Sequence, residues 1–195
     1  MLPKSIVPST ESPGTLLTQD GSPAGGLGQQ AQAMLFMDRV LLAARTVEDD
    51  KDTVLSHLEE LDSTIRSFLS VLVATAKGLT APRLPAPIPL TLRALFLLHH
   101  LILATMQQKP QADAIDETKI QASHSVLDMI SNMALDLVRY GSDVGSLPIC
   151  CYYNLKAAVR WMQSRADLTR DRKPTAEIEL LSQILDGYRE KWMIE

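Results

Sequence analysis

The chain has little cysteine: two residues in 195, adjacent at Cys150 and Cys151. That excludes a disulfide framework and leaves too few thiols for a structural zinc site. A reducing compartment fits this usage best. An excess of positive charge is also missing, since 19 Lys and Arg against 23 Asp and Glu give a net charge of −4 and a pI near 5.6. No global field draws the chain onto nucleic acid. The opening MLPKSIVPSTESPG carries no apolar run of the kind a secretory signal requires. The most apolar stretch, Ala94 to Met106, is interrupted by His99 and His100 and is shorter than the roughly 20 residues that span a bilayer, so it reads as a buried core helix. No glycine-rich phosphate loop, nucleophile elbow or dinucleotide fingerprint occurs, and Glu59 with Glu60 fit the solvent face of a helix. The reading is of a protein that is not an enzyme and calls for no cofactor or metal.

What is present is helical periodicity cut by clustered breakers. Residues 1–28 collect proline, glycine, serine and glutamine, a mixture that buries too little apolar surface to offset its ordering entropy, and they read as a flexible arm. The remainder, 29–195, reads as one helical domain with a proline-rich connector at 81–90, where Pro82, Pro85, Pro87 and Pro89 imply an extended path. Met34, Met37, Val40, Leu41 and Ala44 suggest a first helix. Val54, Leu58, Leu61, Ile65, Phe68 and Leu72 repeat at steps of four and three, a second helix expected to form a hairpin with the first. Leu92 to Leu103 is apolar around most of its circumference, which marks a central strut. Leu127, Ile130, Ala134, Leu137 and Val138 define a fourth helix from Ser123 to Tyr140. Leu155, Ala158, Val159 and Met162 define a fifth, and Ile178, Leu181, Leu185, Tyr188 and Trp192 a sixth from about Thr175. No stretch of similar length alternates with period two. The fold class is therefore all-α, an irregular bundle of about six helices behind a disordered N-terminal arm.

Candidate chemistry is sparse. Cys150 and Cys151 lack further ligands and read as small buried hydrophobes. Consecutive His99 and His100 cannot both face one ligand; one is expected to be a core histidine bonded to backbone. Neither His57 nor His124 has neighbours that suggest a triad. Arg165, Arg170, Arg172 and Lys173 form a weak basic patch, diluted by Asp167 and Asp171. Tyr188 and Trp192 have two readings. Burial would hold the C-terminal turn down and is the expectation for Trp192; exposure would make the pair an aromatic anchor for a partner. A deep pocket lined by His99 or His100 and by Tyr152 or Tyr153 would instead favour a small-molecule-binding or enzymatic bundle, and a flat, filled interior would count against one.

The order of segments adds a resemblance. LDSTIRSFL, a proline-bearing connector, RALFLLHHLIL, IQASHSVLDMISNMALDLV, SLPICCYYNLKAAVRWM and LLSQILDGYREKW follow one another over Met34 to Glu195. In that order they resemble the C-terminal part of the regulatory domain of fungal zinc binuclear cluster transcription factors. The six-cysteine cluster and basic linker through which that family reads DNA are missing, so the chain resembles a member shortened at its front. The resemblance implies a regulator without its own DNA-binding domain, located in the nucleus or, alternatively, the cytoplasm. Its partners would be proteins of the transcription machinery, a DNA-binding regulator or a second copy of the chain, with no sequence-specific DNA contact of its own and no membrane. A role beside a gene set of secondary metabolism is compatible with it. The rival reading is a stand-alone helical scaffold outside transcription.

Overall fold

Prolines at a helix start replace no hydrogen bond, because the first-turn N–H groups have no intrahelical acceptor, and their fixed φ suits the helix. The third helix uses this: it runs Pro87–Gln107, so the connector expected to be extended through residue 90 is already helical from 87. Pro87 and Pro89 are buried, and their carbonyls accept from Thr91 Oγ1 at 2.8 Å and from Asn154 Nδ2 at 2.7 Å. In the computed structural model the described residues are 25–45, 51–76, 85–107, 114–140, 147, 149–168 and 175–192. Among them the structure is all-α with no strand: α1 (Gly26–Arg45), α2 (Lys51–Ala76), α3 (Pro87–Gln107), α4 (Ala114–Tyr140), α5 (Cys150–Leu168) and α6 (Ala176–Trp192). Helix α1 takes in Gly26 to Gly28 of the expected arm, whose residues 1–24 lie outside the described part, as do 81–84 of the connector.

Helix α3 is the strut. Its apolar circumference packs on α1, α2, α4 and α5, burying Leu95, Leu98, Ile102 and Leu103 among others. At 21 residues it is longer than the apolar core read from sequence, and by length and composition it would suffice to cross a membrane. Its apolar surface is used inside the bundle, where 61% of its most apolar window is buried. The expected α1–α2 hairpin gives way to a different arrangement: α1 and α2 touch through Phe36 and Phe68, edge to face at 5.3 Å, but each packs mainly on α3. Two adjoining cores result. One gathers α1, α2, α3, Val126 to Ile130 of α4 and Ala157 and Trp161 of α5, and the other gathers the end of α4 with the rest of α5 and α6.

The first helix is rotated relative to its sequence reading. Ala33, Phe36 and Val40 face the core, with Met37 partly buried beside them, whereas Met34 and Leu41 are exposed. Helix α1 carries apolar residues on two faces, so periodicity alone could not say which one packs. Helix α4 begins nine residues before the expected Ser123. Helix α6 starts behind Thr175, whose Oγ1 accepts from the Ile178 N–H at 3.4 Å, with Glu177 and Glu179 in the first turn matching the macrodipole.

Gly187 lies inside α6 with open space around the position a Cβ would take. Alanine there removes the glycine penalty without a clash, so Gly187→Ala should raise stability by about 1 kcal/mol. Thermal unfolding checks this, and a lower melting temperature would contradict it.

Candidate functional site

A buried polar group that makes no hydrogen bond is costly. His99 of α3, 3% exposed, points inward between α2 and α4. Its Nε2 lies 3.0 Å from Asp62 Oδ1 and its Nδ1 3.1 Å from Ser123 Oγ, so its partners are side chains and not the backbone expected for it. The carboxylate sets the tautomer: Nε2–H donates to Asp62, and Nδ1 accepts from the Ser123 hydroxyl. Asp62 also receives Arg66 Nε at 2.8 Å on both oxygens. Burial would raise the Asp62 pKa, yet the bonds from His99 and Arg66, with the charge on Arg66, outweigh it and hold the carboxyl below its ordinary value. Serine, histidine and aspartate also compose a hydrolytic triad, but here the ring is reversed, with Nε2 towards the acid, and Ser123 is 2% exposed in the core. The set staples α2, α3 and α4 together.

Cys150 opens α5 half-buried, and Cys151 is buried. Cys151 donates to the Cys150 sulfur, which outweighs burial and brings Cys150 down to about 7; the same bond and burial push Cys151 up. Among the described residues no group of three His, Cys, Asp or Glu is placed to hold a metal. The thiolate is the nucleophile, so iodoacetamide should alkylate Cys150 with a pH midpoint near 7, against about 8.5 for an ordinary thiol, and should spare Cys151 in the folded chain. Peptide mass spectrometry across pH tests the order; equal labelling of both would refute it.

The aromatic pair at the C-terminus is split. Tyr188 is 3% exposed, its ring 6.1 Å from that of Tyr152, and its hydroxyl donates to the Leu147 carbonyl at 3.4 Å. It is a core residue and no part of an exposed anchor. Trp192 is 47% exposed, with Lys191 Nζ 5.8 Å from its ring centroid, so the expected docking of Trp192 into the core does not occur. Of the basic patch, Arg165 lies 6.0 Å over Trp161 with Asp128 Oδ2 at 3.9 Å, while Arg170, Arg172 and Lys173 fall outside the described residues.

Two surface features remain. Helix α1 turns Leu27, Met34, Leu35, Leu41 and Leu42 away from the core, Met34 58% and Leu42 61% exposed. Between α3 and α5 lies an open groove of about 410 Å³ that includes His100 and Tyr153. No protein-family model, curated protein or solved structure matches the chain.

Proposed function

We propose that the chain is a transcription-factor-like regulatory module, without a DNA-binding domain of its own, that acts by contact with another protein through the outward face of α1. The observation that carries this is the pairing of two apolar faces on one helix. Ala33, Phe36 and Val40 occupy the inner face, and Leu27, Met34 and Leu41, seven residues apart, run along the opposite one with Leu35 and Leu42 beside them. Large exposed apolar patches mark interaction sites more often than chance exposure does. A repeat of seven on one helix suits a partner helix laid alongside, as in helix-in-groove or coiled-coil recognition. The transcriptional part of the reading rests on the resemblance of segment order. The net charge of −4 agrees with action through a DNA-binding partner and not on DNA directly.

A reporter assay tests it. The full chain, fused to an unrelated DNA-binding domain, should change transcription from the matching promoter, and Met34→Glu with Leu42→Glu should abolish the change while leaving the melting temperature within a few degrees. An unchanged reporter, with a tagged chain excluded from the nucleus, would favour the helical scaffold outside transcription.

A further inference from the structure

Two helical stripes face each other across the α3–α5 groove. Arg93, Phe96 and His100 stand at i, i+3 and i+7 on α3, and Tyr153, Lys156 and Arg160 stand at the same spacing on α5. Both helices pack on α4, which leaves their outer faces to form the walls. The cations Arg93, Lys156 and Arg160 line it, and among the described residues none has a carboxylate partner. Arg93 Nη1 reaches only the Tyr153 carbonyl, at 3.5 Å, and its guanidinium lies 5.9 Å from the Phe96 ring. Lys156 Nζ sits 5.6 Å over the Tyr152 ring. Burial and the charge of Arg160 both push Arg93 below its ordinary pKa, and burial, then Arg93 and His99, lower that of His100. Arg93 and Arg160 are thus like charges held near each other with no carboxylate beside either, and an anion would relieve the repulsion.

The rest of the wall is aromatic and fixed. His100 lies 4.8 Å from Phe96 and 5.5 Å from Trp161, ring centre to ring centre. Asp128 holds the Trp161 indole by accepting its N–H at 2.7 Å, which locks the ring before any ligand arrives. Buried Ala157 between these side chains keeps the floor low.

We propose that this groove binds a small aromatic carboxylate, its acid group held by Arg160, Arg93 and Lys156 and its ring laid against His100, Tyr153 and Trp161. A guanidinium matches a carboxylate with two parallel hydrogen bonds, and aromatic walls favour a planar body. The volume is that of a small-ligand site, at the lower part of the usual ~300–1,000 Å³. Just beyond the groove Arg165 already has Asp128 Oδ2 at 3.9 Å and the Trp161 ring beneath it, so among the described residues the basic surface offered to a ligand is that of the groove walls. The inference is independent of the protein-contact reading.

The test is calorimetric titration of the full chain with 2-naphthoate. Expected is saturable binding of one molecule per chain, with quenching of Trp161 fluorescence in a Trp192→Phe background. 2-Naphthylmethanol, which keeps the ring and lacks the charge, should bind at least tenfold more weakly. Arg160→Glu, at an exposed position, should weaken 2-naphthoate at least tenfold, while Arg45→Glu, the same charge change at the end of α1, should leave binding within twofold. Absence of saturable binding, equal binding of the alcohol, or no effect of Arg160→Glu would overturn the proposal. Displacement of 2-naphthoate by a glutamate decapeptide or by oligothymidylate at lower concentration would also overturn it, since the groove would then serve an acidic peptide or a nucleic acid.

Discussion

Tyr188→Ala should destabilise the protein by about 3–5 kcal/mol, and Trp192→Ala, one turn later on the same helix, by no more than about 0.5 kcal/mol. The two residues follow one heptad-like stripe in the sequence, so the contrast is a test of where that stripe stops being core. Tyr188 sits among Leu181, Leu185 and Tyr152, and its truncation leaves a cavity in the second core and an unpaired carbonyl at Leu147. Trp192 has almost half its surface in solvent and adds little to that core. The measurement is equilibrium unfolding of both variants in denaturant. Similar losses for the two would return Trp192 to the core, and a small loss for Tyr188→Ala would detach α6 from the bundle.

The same stripe shows why the fold was legible and its edges were not. Leu58, Leu61, Ile65 and Leu72 in α2, and Ile178, Leu181 and Leu185 in α6, are buried where three-and-four spacing placed them. A helix with one apolar face can turn that face only inward. In α1 the rule fails because both faces are apolar, and which one packs is decided by the shape of α3, a contact no local window contains. Trp192 fails for a different reason: periodicity continues to the end of the helix, but the bundle it packs against ends first. Pro87 and Pro89 look like breakers because composition does not distinguish a proline in a first turn from one in a connector.

The candidate groove was half visible. Arg93 with His100, and Tyr153 with Lys156 and Arg160, share helix faces by spacing alone, a signal the sequence contains. Their meeting depends on α3 and α5 lying side by side, 60 residues apart in the chain for the Arg93–Tyr153 contact. The buried polar staple was less visible still. Its members come from α2, α3 and α4, separated by 37 and 24 positions, and nothing local to His99 names Asp62 or Ser123.

That staple carries the second large effect. Asp62→Ala should lower stability by about 1.5–3 kcal/mol at neutral pH, because it leaves the buried His99 N–H without its acceptor and frees Arg66. Asp62→Asn keeps the shape and removes the charge, so it isolates the electrostatic part. The sign follows from the lowered pKa. A carboxyl whose folded value lies below its unfolded one, about 3.9, contributes stability that is fully present above that value and is lost as pH falls through it towards the folded value. The charge on Asp62 should therefore make its full contribution above about pH 4, and the stability difference between the wild type and Asp62→Asn should shrink below that, where the wild-type carboxylate takes up its proton. Denaturant unfolding of both chains at intervals down to the acid limit gives this curve directly. A difference that held unchanged into strong acid would mean that shape, and not the charge on Asp62, keeps His99 and Arg66 in place.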